Sequence, residues 1–501
     1  MTDSEFIEWL HDIETTLPVD SWRVDGLRIW PLMRLAIYAE NFGAMVREYS
    51  QDAGVVSNVQ SVVTGLGAWA RAVLWDRRNN TCPDRPANAV FLGYSIGKQP
   101  LFEAKRYNSH VAPYIALLER TGLTCSVWEM CPYGQYNVPR YTPSHFVQPY
   151  LIGHRIAARV RPPKASDVDL QRFDELSRFA ARANLHSRYV SLGALLRDVS
   201  YVRSLANRFK RWLRKSGATF AFMADYGPRE YALCIACREL GIVSVDIQHG
   251  VQGDLHPAYG SWFTIPADGW EMRPNVFWCW DDASAAAINR WAIWCRGNHR
   301  AVAGGDPWRE MWTDGSGEIV ERYDAEIAAM KNAAAADTHI LVTLGFHEDL
   351  FPDRLLDALS RSPASWCYWV RPHPVNQRRR LSQAASILRY AGVHHVDPRR
   401  VVEMPLFGIL RHVDCHVTVN ISSVILEAED FGVPSVACGL AATEYYSEQI
   451  QRGSLSVALK TDEILDAVKS RLLNRSRVRG RPHPRPRDAI LRLLTSIPVR
   501  A

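Results

Sequence analysis

Apolar residues recur with helical spacing over roughly the first 80 positions. Phe6, Trp9, Leu10 and Ile13 fall on one helical face. Pro31 follows Trp30 and suits the first turn of a second helix, LMRLAIYAENF, where no amide partner is needed. A third helical pattern runs from about Val59 to Trp75, with Val62, Val63, Leu66, Trp69, Val73 and Leu74 apolar. From Ala89 the pattern changes. Short runs of Val, Ile, Phe and Thr alternate with helical stretches, as in a parallel α/β sheet.

The expected strands each stop at polar or glycine residues. Ala89–Leu92 ends at Gly93-Tyr94-Ser95, and Cys125–Trp128 follows a helix over about Val111–Thr121. Residues 131–165 are rich in Pro and Tyr and read as irregular. Two long helices are expected over 168–215, the second ending in a basic run. Thr219–Ala224 then ends at Asp225-Tyr226-Gly227. Pro228 opens a helix to Leu240, with Gly241 as its cap. Ile242–Ile247 ends at Gln248-His249-Gly250, and Phe277–Trp280 ends at Asp281-Asp282, which reads as a helix cap. Later, Thr338–Leu344 ends at Gly345, and the run Trp366–Val370 stops at Arg371-Pro372-His373-Pro374. His416–Val419, a turn at Asn420–Ser422, a helix Ser423–Phe431 and a strand Val433–Cys438 follow.

The chain is therefore expected to be an α/β protein with two Rossmann-like domains. A helical extension takes residues 1–84, the first domain 85–300, a link 301–337 and the second domain 338–473. Residues 474–501 form a basic tail, with arginines between prolines and expected to be exposed, and a final amphipathic helix. No G-x-G-x-x-G follows the first strand, so no dinucleotide cofactor is indicated.

In open α/β sheets, ligands sit beyond the carboxyl ends of the strands. The first domain brings Asp225, His249, Asp254 and His256 there. The second brings Gly345, Arg371, His373, Asn420, Ser422 and Ser423. A glycine just past a strand lets backbone approach a phosphate, and Glu427 lies one helical turn after Ser423 on the same face. A phosphate held by the serines would bring a ribose within reach of that carboxylate.

R-P-H-P, then a paired serine and Glu-Ala ahead of G-V-P, together with Q-H-G at 248–250, resembles a known family. It is the GT-B glycosyltransferases of bacterial capsule and surface polysaccharides that use CMP-sugar or CDP-polyol donors. The resemblance covers about residues 220–460. It implies two Rossmann-like domains facing a cleft, with the nucleotide in the second. It assigns the donor phosphate to His373, Ser422 and Ser423, and the ribose to Glu427. It also implies a glycan or lipid-linked acceptor and a closing helix that returns to the first domain.

Glycosyl transfer needs a base for the acceptor hydroxyl, charge stabilisation at the leaving phosphate and exclusion of water. Arg371, His373, Ser422 and Ser423 can meet the leaving group without metal, and no D-x-D stands at a strand end. For the base, His249 is favoured over Asp225 and Asp254, because an ordinary imidazole titrates at about 6.5. Two other readings share the sequence: a nucleotide-sugar epimerase of the same fold, and a non-catalytic protein of glycan assembly.

The net charge of +6 suits an anionic donor or lipid and is too small to point to nucleic acid. The 10 cysteines lack a disulfide framework, and Cys234 and Cys237 read as buried thiols. The N-terminus has no signal-peptide pattern, and no apolar run is long enough to span a membrane. The expected location is the cytoplasm. Basic helix ends carrying Trp suggest loose contact with the inner face of the membrane, although a solvated helix end has the same pattern.

Overall fold

The computed structural model describes residues 1–42, 67, 70, 74, 85–94, 100–130, 138–160, 167–345, 350–373, 377–419, 421–475 and 478–495. The expected helix at Val59–Trp75 lies outside them except for single positions, as does Asn420. Two compact units are present. The first comprises Met1–Ser95, Glu103–Asp306 and Pro484–Ala501, and the second Ile96–Phe102 and Pro307–His483.

The first unit is built on a seven-stranded sheet. Its strands are β1 (Ala89–Tyr94), β2 (Cys125–Met130), β3 (Ser144–Phe146), β4 (Phe220–Met223), β5 (Val243–Ile247), β6 (Val276–Cys279) and β7 (Arg300–Ala303). They lie in the order β7-β6-β5-β4-β1-β2-β3, with every neighbouring pair parallel. The chain starts in the middle, runs out to β3, then crosses back to β4. The strand order therefore reverses between β1 and β4, where Ala89 pairs with Phe220 and Leu92 with Met223. A reversal of this kind opens a crevice at the carboxyl edge.

Local chemistry sets the element ends as the sequence predicted. Pro228 opens the helix Pro228–Leu240, and Gly241 closes it at φ 65°, a left-handed conformation that glycine adopts without strain. Asp281 caps the next helix by accepting from the Ser284 amide at 2.8 Å. Within 131–165, by contrast, the expected irregular segment contains β3 and a helix, Gln148–Val160. Three residues at a sheet edge are too few to show a period. Glu129 holds them from β2: its Oε2 accepts from the Ser144 hydroxyl at 2.6 Å and from Arg140 at 2.5 Å. Over 168–215 only the second of the two expected helices is long: Phe173–Arg182 has 10 residues and Leu192–Ser216 has 25.

The N-terminal helices Asp3–Thr16 and Trp30–Phe42 pack into the core of this unit. Phe6, Leu10 and Ile13 are fully buried, as the helical spacing required. Between the helices sits a buried ion pair, Arg34 to Glu14 at 3.1 Å. Glu14 also accepts from the Trp30 indole and the Phe263 amide, both at 2.8 Å. Arg34 donates to the carbonyls of Gly260 and Ser261. The pair thus pins the loop that follows β5. The last helix, Pro486–Thr495, places Ala489, Ile490 and Leu493 in a core with Phe91, Tyr114, Ile115 and Leu118. This helix therefore belongs to the first unit.

The second unit has a six-stranded sheet: β8 (Thr338–Leu344), β9 (Trp366–Pro372), β10 (His395–Val396), β11 (Cys415–Thr418), β12 (Ser435–Ala437) and β13 (Leu455–Val457). The order is β10-β9-β8-β11-β12-β13, again all parallel, with the reversal between β8 and β11. Under the carboxyl edge, His416 on β11 joins Thr343 at 2.8 Å to Ser435 at 3.0 Å. Burial pushes this imidazole down to about 3, so it links three strands as a neutral group.

The basic tail departs from the expectation of exposure. Arg479, Arg485 and Arg487 are exposed, but Arg481 is not. Asp430, at the end of the helix Val424–Asp430, is paired with Arg481 at 2.9 Å, His483 at 2.7 Å and Arg309 at 3.0 Å. A buried carboxylate requires such partners, and they fold the tail inward.

Removing one member of a buried pair leaves the other uncompensated, at a cost of about 3–5 kcal/mol. Arg34→Met should therefore lower the unfolding free energy of the first unit by about that amount in denaturant titration. A loss below about 1 kcal/mol, the range of a surface pair, would show that the Glu14–Arg34 contact is not the clamp.

Candidate functional site

At the carboxyl edge of the second sheet the strand ends are adjacent by register. Leu344 pairs with Pro372, and Thr343 pairs with both Arg371 and Thr418. Gly345, His373 and the segment 421–423 therefore emerge side by side around the reversal between β8 and β11. The structure places Gly345, Arg371, His373, Ser422, Ser423 and Glu427 at or just beyond these adjacent strand ends.

Their individual settings differ. Arg371 donates to the carbonyls of Val401 and Met404, both at 2.9 Å. Burial pushes it down to about 10, opposed by the nearby Glu427 carboxylate. It thus fixes the wall of the site and contributes charge from behind. His373 is half-buried, and burial, then the Arg380 charge, pushes its imidazole down to about 3. In that state it is neutral and keeps one N–H to donate. Arg380 itself donates to the Gly345 carbonyl at 2.5 Å. Ser422 and Ser423 precede the helix Val424–Asp430, where the Ser422 hydroxyl accepts from the Val424 amide at 3.3 Å.

Two contributors escaped the sequence. Arg380 stands on the helix after β9, inside a basic run that reads as a solvated face. Tyr446 is buried and donates to the Ser422 carbonyl at 2.8 Å, which anchors the serine turn from a distant helix end. No periodicity in the sequence marks either residue.

The first unit gathers a second polar group at its own carboxyl edge. Asp225 leaves β4 half-buried, and its Oδ1 accepts from the Tyr226 amide at 2.7 Å. Burial pushes its carboxyl up, opposed by the charge of Arg229. His249 leaves β5 with its ring 5.5 Å from that of Tyr226. Burial pushes the imidazole down to about 4, far from the ordinary value assumed for a base. His256 accepts the Ala258 amide on Nδ1 at 3.2 Å, so its Nε2 carries the proton and donates to the Tyr226 hydroxyl at 3.1 Å. Burial pushes His256 to about 3. His110 lies near enough to feel both Asp306 and His249, and burial pushes its imidazole down. Asp254 does not: its exposed carboxylate is paired with Arg290.

Among the described residues, no group of three or more His, Cys, Asp or Glu is placed to hold a metal ion. Comparison with protein-family models and with curated proteins returns no match. Several solved structures share a loose overall likeness. UDP-GlcNAc 2-epimerase from Methanocaldococcus jannaschii is 13% identical over 82% of this chain and 99% of its own, with a TM-score of 0.48. MnaA of S. aureus with UDP gives 12%, 82%, 98% and 0.48. The wall teichoic acid polymerase TagF gives 12%, 87%, 91% and 0.45.

The setting of His373 makes a direct prediction. A folded-state value pushed to about 3 means that the ring stays neutral from pH 5 upward. Between about 6.5 and about 3 the unfolded chain takes up this proton and the folded one does not, so the site's contribution to stability falls progressively as pH drops through that window. NMR of the ligand-free protein should show no His373 titration between pH 5 and 8. A midpoint near the ordinary value of about 6.5 would contradict the buried setting.

Proposed function

We propose that the chain is a glycosyltransferase of the GT-B type. It moves a sugar from a nucleotide-activated donor to a hydroxyl-bearing glycan or lipid-linked acceptor. The observation that carries this reading is the convergence of Gly345, Arg371, His373 and Ser422–Ser423 around the strand reversal of the second sheet, with the Glu427 carboxylate acting on Arg371. Backbone room, neutral N–H and O–H donors and a nearby acid form a set that suits a phosphate next to a ribose.

In this reading the phosphate lies against His373 and the two serines, and Glu427 takes ribose hydroxyls. Arg371 and Arg380 offset the charge that develops as the phosphate leaves. The sequence resemblance favours a CMP-sugar. It also favours a surface polysaccharide or lipid-linked glycan as acceptor, which places the reaction at the inner face of a membrane. Asp225 and His249 are the candidates for the group that takes the acceptor's proton.

A transferase releases the nucleotide in the presence of acceptor, an epimerase alters the donor sugar with no net release, and a binding protein does neither. Product analysis of CMP-sugar incubated with and without acceptor therefore tests the reading, and acceptor-dependent release of CMP is the expected result. Changed donor sugar without net release would replace it with the epimerase.

The serines make the quantitative prediction. Ser422→Ala with Ser423→Ala removes two hydroxyls whose bonds to a charged group are worth about 1.5–3 kcal/mol. Affinity for CMP should fall at least about tenfold by calorimetry, with the fold retained. Unchanged affinity would leave the pair as a helix cap only.

Membrane contact has its own test. No helix among the described residues is long and apolar enough to cross a membrane. Attachment through basic side chains should be screened by salt. The protein should cosediment with anionic vesicles at low ionic strength and detach as salt rises. Failure to bind at low salt would remove the membrane contact.

A further inference from the structure

Among the described residues every tryptophan but one is buried. The exception, Trp294, is 68% exposed, and Ile293 before it is 69% exposed. No other two consecutive large apolar side chains among the described residues are both exposed. The pair lies on the short 3₁₀ turn Ile293–Cys295, which carries the helix Asp282–Ala292 on toward β7. Leaving both in water forgoes the hydrophobic gain that their neighbours Trp291 and Cys295 obtain by burial.

The exposure is built in. On one side Trp291 donates to the Tyr259 carbonyl at 2.7 Å, and Asn289 exchanges two hydrogen bonds with Ala301 on β7. On the other, Arg296 and Gly297 turn the chain with φ 48° and 80°. Asn298 then fastens the turn to the Cys295 carbonyl, through its amide at 3.0 Å and its side chain at 2.8 Å. The backbone is held on both sides, and Ile293 and Trp294 are what it presents.

The corner around the pair is basic. Arg296 is exposed and makes no ion pair among the described residues. The turn at Asp268–Gly269 packs against the same segment. There the Trp270 amide donates to His299 at 2.8 Å, and a Cβ on Gly269 would stand 3.2 Å from the Asn298 side chain. Asp268 is paired with Arg28 at 2.8 Å and Arg238 at 3.3 Å. Arg28 also reaches Glu271 at 2.7 Å, which Arg23 approaches at 3.5 Å. With Arg296 counted, four arginines meet two carboxylates in this set. The turn leads straight into β7, so the corner lies at the amino edge of the first sheet, away from the edge where Asp225 and His249 emerge.

We propose that Ile293, Trp294 and Arg296 form an anchor that docks the first unit on an anionic lipid surface. A Trp and an Ile offer roughly 300 Å² of apolar surface, short of the about 800 Å² that each partner buries in a stable protein interface. Lipid demands less. The indole and the aliphatic chain dip below the headgroups while the guanidinium stays among the phosphates. The excess positive charge of the corner supplies the attraction. This names the surface for the membrane contact in the transferase reading, and it rests on that contact but not on the transfer itself.

The test is cosedimentation of the full chain with vesicles of phosphatidylcholine and phosphatidylserine at low ionic strength. Ile293→Ser with Trp294→Ser should lower vesicle affinity at least about tenfold. Its thermal midpoint should stay at the wild-type value, because both side chains stand in solvent. Trp294→Phe should keep most of the affinity. Arg296→Ser should cost about fivefold, an effect that shrinks as salt rises, whereas the loss in the double variant should persist. Equal affinity in wild type and double variant overturns the anchor and leaves the membrane contact to other side chains. A wild-type dimer in sedimentation velocity that the double variant abolishes gives the surface to a second copy, and overturns it too. A wild type that binds no vesicles ends both the anchor and the membrane contact, while CMP release with a soluble acceptor still decides the transfer.

Discussion

A parallel sheet has a single carboxyl edge, and that constraint organises both units. Every strand must return to the same end before it can pair again, so the residues that leave each strand gather along one line. The apolar runs that build β8, β9 and β11 therefore determine where Gly345, His373 and Ser422 stand. In the first unit β4 and β5 do the same for Asp225 and His249. The chemistry follows from the pairing. A register shift in any of these strands would remove its polar end from the set.

Buried polar contacts then hold the edges in place. In the first unit the Glu14–Arg34 pair ties two N-terminal helices to the loop after β5, more than 200 residues away in sequence. In the second, Asp430 draws in Arg309, Arg481 and His483 at the far end of the helix that follows the serines. Tyr446 and Arg380 fasten the near end and the neighbouring glycine turn. These contacts are costly unless complete, which makes them selective for one arrangement. Their effect on the edge is to limit how the side chains there can turn.

The sequence revealed the longer strands and their ends because these depend on local composition, whereas the short strands β3, β10 and β13 have two or three residues each and carry no period. Val, Ile and Phe runs closed by Gly or Pro carry their own signal, and so does the helix from Pro228 to Gly241. What it did not reveal depends on distance in sequence. Trp294 looks like any other tryptophan of the chain, and only the fold shows that it stands in solvent. His249 was credited with an ordinary imidazole, whereas enclosure by its neighbours disfavours the charged form. Asp254 was grouped with the edge because it is close in sequence, yet its loop carries it to a surface ion pair. R-P-H-P occurs twice, at 371–374 and at 481–484, and the two segments are alike in sequence and opposite in role. The first ends a strand beside Gly345, while the second pairs with Asp430 in the interior of the same unit.

The central claim is that the second unit binds a nucleotide at the carboxyl ends of β8, β9 and β11. Hydrogen–deuterium exchange of the full chain with and without CMP tests it most directly. The account predicts slower exchange on CMP addition at 371–373 and 421–427, with the first-unit sheet unchanged. Protection confined to other segments, or none at saturating CMP, UDP and GDP, would contradict it.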